Sequence, residues 1–278
     1  MSDLAQDVRA ALAARGEPVS RLGYFCLPFR PEGGPLADRV IKTYRGGRDR
    51  DLLQELGARH AAYVDMLQWA GVRLPETKFL ILEAAGYLQP VIVQEALDER
   101  ILMRPKLEAA SLSEMQDILG AATLSIADFW ARVADRPERI GYHPSIRNCA
   151  IDDQGPIFFD TFPPLIGYSH AEMGKLLLRF SESGLVRAMG RVMPGRIRGI
   201  QDEWYSPAGT IVGLIGSAVR LRPADGPATL AWAQGFVAGQ LRGALRDEVL
   251  AELDRPPRLP AYWTGMRRLL GLEGKPNV

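Results

Sequence analysis

Cysteine is almost absent from this chain, and so are surplus charge and any long apolar run. Two cysteines, Cys26 and Cys149, occur in 278 residues; they lie far apart and lack metal-ligand spacing. That excludes a thiolate metal site and a disulfide framework, and leaves two buried thiols in a reducing compartment. The 34 basic residues are matched by 33 acidic ones, for a formal net charge of +1, which argues against a general nucleic-acid surface or a polybasic membrane surface. The longest apolar stretch, Gly209 to Val219, is too short to span a bilayer and runs into Arg220 and Arg222. Met1 to Arg15 alternates charges with alanines and leucines and has no apolar signal core, so neither export nor a transit peptide is expected. A cytoplasmic location without membrane or nucleic-acid partners is the expectation.

What is present is a composition of 47% hydrophobic and 24% charged residues, that of a globular protein with a sizeable core. The Ala-rich segment Asp3 to Arg15 places Leu4, Val8, Ala11 and Leu12 on one helical face. Two short strands are predicted around Val19 to Tyr24 and Phe25 to Phe29, and a Pro/Gly turn leads to a third at Arg39 to Tyr44, β-branched and aromatic. Asp51 to Ala70 is predicted helical, with Leu52, Leu56, Tyr63 and Leu67 on a stripe and Gly71 at its end. Strands follow at Lys78 to Leu82 and Pro90 to Gln94, joined through Gly86. A long helix is then expected from about Glu114 to Val133, capped by Ser111 or Ser113, and everything after Pro164 reads as helical with Gly and Pro breaks.

Strands first and helices last make an α+β arrangement. A small five-stranded sheet with one long helix would form an N-terminal lobe over residues 1–97, and a mainly helical C-terminal lobe would occupy residues 98–278. Ligands commonly sit at such a junction.

The chemistry concentrates between Tyr142 and Asp160. Asn148 follows a proline-containing loop, and Asp160 follows the buried strand Ile157-Phe158-Phe159 across a short hairpin. Hard oxygen ligands so placed suit magnesium that keeps waters and substrate phosphate oxygens. Asp152-Asp153 falls in the hairpin turn, where Asx residues favour the geometry.

With these pieces in this order, the chain resembles the protein-kinase-like superfamily, in particular its aminoglycoside phosphotransferase and choline kinase branch. Val40-Ile41-Lys42 is similar to the strand element whose lysine pairs with nucleotide phosphates. The helix ending in Gly71-Val72-Arg73-Leu74-Pro75 is similar to the small-lobe helix and its Gly-x-x-x-Pro exit, and Val91 to Glu95 to the strand and hinge beside adenine. More narrowly, Phe158 to Pro164 and Gln201 to Tyr205 resemble a bacterial kinase-like family of uncharacterised function.

The resemblance implies a two-lobed kinase-like fold, ATP and magnesium as cofactors and a small-molecule acceptor. Lys42 would contact the phosphates, held by an acid on the following helix, with Glu55 the candidate; Gln94 and Glu95 would form the hinge; Asn148 and Asp160 would hold the metal. The sequence also departs from the pattern. No Gly-x-Gly-x-x-Gly lies between the first two strands. His143 stands where a catalytic Asp is usual, and Asp160-Thr161-Phe162 replaces Asp-Phe-Gly, with two prolines after it that stiffen the segment.

His143 is open to three readings: a general base, a neutral hydrogen-bonding residue of an inactive pseudokinase, or a loop residue without a role. Arg147 would supply charge stabilisation beside it. Asp202, Glu203 and Trp204 form an acidic-aromatic cluster suited to a cationic acceptor, or simply helix-end packing. Interspersed arginines between Arg187 and Arg222 would make an anion-attracting patch or a solvated face. The leading expectation is phosphorylation of a small molecule. A catalytically silent nucleotide- or partner-binding protein and transfer of another group, such as AMP, are the alternatives.

Overall fold

The computed structural model describes residues 3–15, 25–180 and 201–254. Its sheet contains β1 (Cys26–Phe29), β2 (Arg39–Tyr44), β3 (Thr77–Ala84) and β4 (Tyr87–Glu95) in the antiparallel order β1-β2-β4-β3. The additional strand expected at residues 19–24 lies outside the described residues. Between β2 and β3 runs α2 (Arg50–Trp69), its first turn capped by the Asp49 carboxylate, which accepts from the Leu52 N–H at 3.2 Å.

Period-two alternation gives the sheet two different faces. Ile41, Val91 and Val93 point outward and pack with Phe29, Leu36 and Val8 of the N-terminal helix α1 (Leu4–Ala13). Tyr44 and Ile92 point inward, into a core shared with α2 and the helical lobe. Lys42 and Gln94 alternate with them onto this inner face, and both are buried. β3 and β4 extend beyond the expected spans because Ala85 and Gly86 both adopt positive φ, 49° and 71°, forming a two-residue turn that lets the ladder run to its tip.

The chain then passes through α3 (Met103–Ala109) into α4 (Leu112–Val133). Ser111 and Glu114 form a reciprocal capping box at the start of α4. Met115, Ile118, Leu119, Ala122, Ile126 and Phe129 are its buried residues, as the apolar spacing predicts. A hairpin follows, β5 (Cys149–Asp152) with β6 (Gly155–Phe158), and then α5 (His170–Phe180). Among the described residues, α6 (Pro207–Leu221) and α7 (Gly226–Gln240) pack on α4, and α8 (Gly243–Leu253) packs on α6 and α7. The small strand lobe with α2, followed by a mainly helical lobe that carries the hairpin, makes this an α+β, two-lobed fold, as the order of strands and helices predicts. Among the described residues no helix is long and apolar enough to cross a membrane.

One residue ties the hairpin to the sheet lobe. Arg73, in the exit from α2, forms two parallel bonds to Asp152, Nη1 to Oδ1 at 2.6 Å and Nη2 to Oδ2 at 2.8 Å, and also donates to the Gly155 carbonyl at 2.8 Å. Its own carbonyl accepts from the Phe158 N–H at 2.9 Å. Asp152 therefore does more than shape the turn, although it does that too by accepting from the Gln154 N–H at 2.8 Å. The Arg73 guanidinium holds the Asp152 carboxyl down at about 2, from an ordinary 3.8. A carboxyl depressed in this way contributes stability above its ordinary value and loses it as the pH falls towards about 2. Arg73→Gln should lower the melting temperature at pH 7, and the difference from wild type should shrink as the pH is taken from 4 towards 2. A pH-independent difference would assign the effect to packing instead.

Candidate functional site

Lys42 is 7% exposed, and its Nζ donates to the Phe159 carbonyl at 2.7 Å while lying 5.5 Å from that residue's ring centroid. The partner is thus a carbonyl of the segment leading to Asp160, rather than the acid expected on α2. Glu55 lies on the exposed side of α2 and bonds to Arg59 one turn later, at 2.8 Å. The reason is angular: the buried residues of α2 are Leu53, Leu56, His60, Tyr63, Met66 and Leu67, and Glu55 is one residue off that stripe.

The polar side chain that α2 does turn inward, within electrostatic reach of Lys42, is His60. It is 2% exposed, and its Nε2 is 2.9 Å from Thr161 Oγ1, the residue after Asp160. Burial, reinforced by the charge of Lys42, pulls the imidazole down to about 4, so the ring is neutral at physiological pH. The sequence carried a signal for His60: a polar residue sat on an otherwise apolar stripe, between Leu56 and Tyr63.

The backbones of the two expected metal ligands lie near each other at the open end of the hairpin. Cys149 pairs with Phe158, and the Phe159 N–H donates to the Asn148 carbonyl at 3.0 Å, so Asn148 lies opposite Phe159 and beside Asp160. Asn148 uses its amide nitrogen inward, donating to the His143 carbonyl at 3.1 Å and lying 3.2 Å from His143 Nδ1. Among the described residues no donor pairs with its Oδ1. The Asp160 carboxylate accepts from the Phe162 N–H. Burial raises its pKa, against the attraction of Lys42 and of that N–H.

After Asp160, residues 161–166 are buried. Phe162 stacks on Tyr44 with centroids 3.8 Å apart, and its peptide bond to Pro163 is cis. Arg59 donates to the Ile166 carbonyl at 3.4 Å and lies over the Tyr168 ring at 4.1 Å. This strap in turn holds the loop that carries His143. The Gly141 N–H donates to the Leu165 carbonyl at 2.7 Å, and the Gly141 carbonyl accepts from Tyr63 Oη at 3.0 Å. A side chain at Gly141 has no room, since a Cβ there would lie 2.9 Å from both the Trp204 carbonyl and the Tyr205 ring.

His143 is half-buried, with its ring 4.6 Å from that of Trp204 at an interplanar angle of 32°. Burial pulls it down to about 4. With Nδ1 accepting from Asn148, the remaining proton of the neutral ring lies on Nε2. Arg147 is exposed at the edge of the loop, and its backbone N–H donates to Ser145 Oγ at 3.4 Å.

The other expected positions divide. Gln94 is 3% exposed and donates to Thr77 Oγ1 at 2.8 Å, on the same face of the sheet as Lys42. Glu95 is exposed, and its carboxylate accepts from the Glu76 N–H at 3.4 Å, across the start of β3. Trp204 reaches the His143 loop, whereas Glu203 packs against Gly213 of α6 and Asp202 lies 3.4 Å from His170 at the surface. Arg187, Arg191, Arg196 and Arg198 lie outside the described residues. Arg222 is committed to the Leu107 and Ala110 carbonyls at the end of α3, and to Asp225.

A sequence-family model matches residues 3–274, nearly the whole chain. The chain belongs to the family of unknown function DUF6206. No curated protein matches this DUF6206 sequence. Among solved structures, the fold is similar to that described as the Legionella pneumophila LegK7 effector kinase, with 12% sequence identity and a TM-score of 0.38. That similarity covers 96% of this chain but only 66% of the other.

Proposed function

We propose that the cleft between the inner face of the sheet and the β5–β6 hairpin binds ATP with magnesium, and that this DUF6206 protein is a phosphotransferase acting on a small molecule. One observation carries the reading. A buried ammonium, Lys42, rests on the peptide that precedes Asp160, with Asn148 across the same hairpin. A lysine buried on a sheet face needs an anion or a fixed acceptor, and here it has the Phe159 carbonyl and, within electrostatic reach, the Asp160 carboxylate.

The residues fit the cation. Asp160 is a desolvated carboxylate whose acidity is weakened by burial, so a divalent ion would relieve its cost. Asn148 has its amide nitrogen tied to His143, which leaves Oδ1 to coordinate. Two protein oxygens make an incomplete magnesium shell, of the kind that nucleotide phosphates and water complete. Magnesium would neutralise charge developing on the transferred phosphoryl group, and Lys42 would exchange the Phe159 carbonyl for a phosphate oxygen. Gln94 lines the adenine side. Trp204 lies where an acceptor would approach His143.

In this reading His143 is a positioning residue. Its Nδ1 is engaged by Asn148, and a ring that protonates only near 4 is a poor base at neutral pH. Phosphoryl transfer depends chiefly on positioning and charge neutralisation, so an unactivated acceptor hydroxyl is compatible with turnover. Calorimetry of ATP with and without magnesium, followed by product analysis over a metabolite panel, tests the reading; absence of magnesium-dependent ATP binding would sink it. His143→Ala should raise the magnesium requirement by about 10-fold, as loss of a residue that orients a ligand does, with a smaller change in the maximal rate. The rate should also show no ionisation near 6.5. A drop on the order of 10²-fold or more in maximal rate at saturating magnesium would restore the general-base role.

The engaged Nδ1 of His143 also favours a second reading, a DUF6206 protein that binds the nucleotide without transferring phosphate. Binding without product across the panel would select it.

A further inference from the structure

Between α2 and β3 runs a groove of about 550 Å³, lined by His60, Ala61 and Asp65 of α2 and by Thr77 and Phe79 of β3 among others. Its size is within the range of small-molecule sites. The walls are apolar, with Phe79 tilted against the His60 ring at a centroid distance of 5.3 Å. Its polar groups are mostly acceptors or already satisfied. Thr77 Oγ1 donates to the Pro75 carbonyl and accepts from Gln94, and Asp65 is the charged residue in the lining.

His60 forms the floor and is 2% exposed. Nε2 is used on Thr161, and among the described residues Nδ1 has no partner. A nine-tenths-buried imidazole that lines a cavity with one nitrogen unused has a hydrogen-bonding capacity that a ligand can fill.

We propose that this groove binds a small organic amine with an apolar body, its ammonium facing Asp65 and an N–H group donating to His60 Nδ1. Such a ligand would also be felt at Asp160. A neutral imidazole has one donor and one acceptor nitrogen, so donation to Nδ1 fixes the ring proton on Nε2 and makes Thr161 Oγ1 the acceptor. In the empty groove Thr161 is free to donate instead. Occupancy thus selects the direction of a buried hydrogen bond one residue from Asp160, which is a two-state element of the kind that couples sites. Binding itself does not rest on the nucleotide reading.

The probes are tryptamine and indole-3-propionate, which share an apolar ring and differ in the sign of their charge. They are titrated into the full chain without nucleotide or magnesium and followed by calorimetry and by imidazole ¹H–¹⁵N spectra. With three histidines in the chain, His60→Gln assigns the relevant signals. Tryptamine should bind and shift the His60 nitrogens towards the Nε2–H tautomer, and indole-3-propionate should bind at least about fivefold more weakly. Asp65→Asn should weaken tryptamine by about two- to fivefold, the range for an exposed ion pair. Ala61→Trp, at an exposed helix position, should fill the groove and abolish binding; a melting curve confirms that the variant is folded, and Asp65→Asn serves if it is not. The proposal is overturned if tryptamine does not bind, if the anion binds equally well, if both variants bind like wild type, or if the His60 signals stay fixed at saturation. Failure of ATP to bind would leave all of these readouts intact.

Discussion

Asp160→Asn should abolish magnesium-dependent nucleotide binding and, at the same time, raise the melting temperature of the ligand-free protein. The two effects have one cause. Burial makes the charged form of Asp160 costly, and the attraction of Lys42 and the Phe162 N–H offsets that cost only in part, because the folded-state pKa remains above its ordinary 3.8. An amide of the same shape removes the charge and keeps an oxygen for the Phe162 N–H. A gain of about 1 kcal/mol would appear as roughly 2–4 °C in a chain of this size. Nucleotide affinity in magnesium should fall by at least about 100-fold, beyond the 10–100-fold cost of disturbing a residue that merely supports a ligand.

The pH dependence has a definite sign. An acid whose pKa is raised in the folded state binds more protons there than in the unfolded chain, so stability declines as the pH rises from 3.8 through the raised value. In Asp160→Asn that decline should be absent, and the two melting curves should converge at acid pH. Asp160→Asn melting below wild type at pH 7 would instead make the carboxylate a structural anchor for Lys42.

The sequence pattern located elements whose cause is local. The β-branched run of β2 and the apolar spacing of α4, with its Ser111 cap, each specify their structure within a few neighbours. Contacts whose cause is remote were hidden. Arg73 and Asp152 are 79 residues apart, and nothing in either neighbourhood announces the pair. On α2, reading the stripe as Leu52, Leu56, Tyr63 and Leu67 gave nearly the right face but passed over His60, because a histidine does not register as apolar. It is buried there all the same, since Thr161 satisfies it. The expectation for Glu55 came from the family pattern rather than from this helix, whose angular spacing turns Glu55 to solvent. In the candidate site, the order Asn148, Asp160 and the strand between them was legible. What His143 does was not, because its state depends on Trp204, which packs on its ring from 61 residues later in the chain.

These remote contacts share a consequence for α2. Tyr63 reaches the Gly141 carbonyl, Arg59 the Ile166 carbonyl and His60 the Thr161 hydroxyl, while Arg73 at its exit grips the hairpin. The helix is therefore fastened to the segments on both sides of Asp160. A Lys42–carboxylate pair that makes and breaks as α2 swings has no basis in this arrangement. What can change is smaller: the partner of Lys42 and the direction of the His60–Thr161 bond.

Lys42→Met exposes that coupling and should have the second largest effect. Methionine keeps most of the stem but leaves the Phe159 carbonyl without its donor, a loss of about 1–3 kcal/mol for a buried group left unpaired. Nucleotide affinity should fall on the order of 10-fold or more, as expected when a charge-assisted hydrogen bond to phosphate, worth about 1.5–3 kcal/mol, is lost. The diagnostic readout is His60. Lys42 adds to burial in pulling that imidazole to about 4, so removing the ammonium should move the His60 titration upward, and the Asp160 carboxyl upward as well. Imidazole NMR titration checks the first, and an unmoved His60 would break the electrical link between strand, helix and the Asp160 segment. Combining Lys42→Met with Asp160→Asn supplies the control. The lysine's cost should be smaller when the carboxylate it neutralises is already gone, with an interaction of about 0.5–3 kcal/mol as for residues in one network. Strict additivity would mean that Lys42 serves the Phe159 carbonyl alone and that its place beside Asp160 has no energetic consequence.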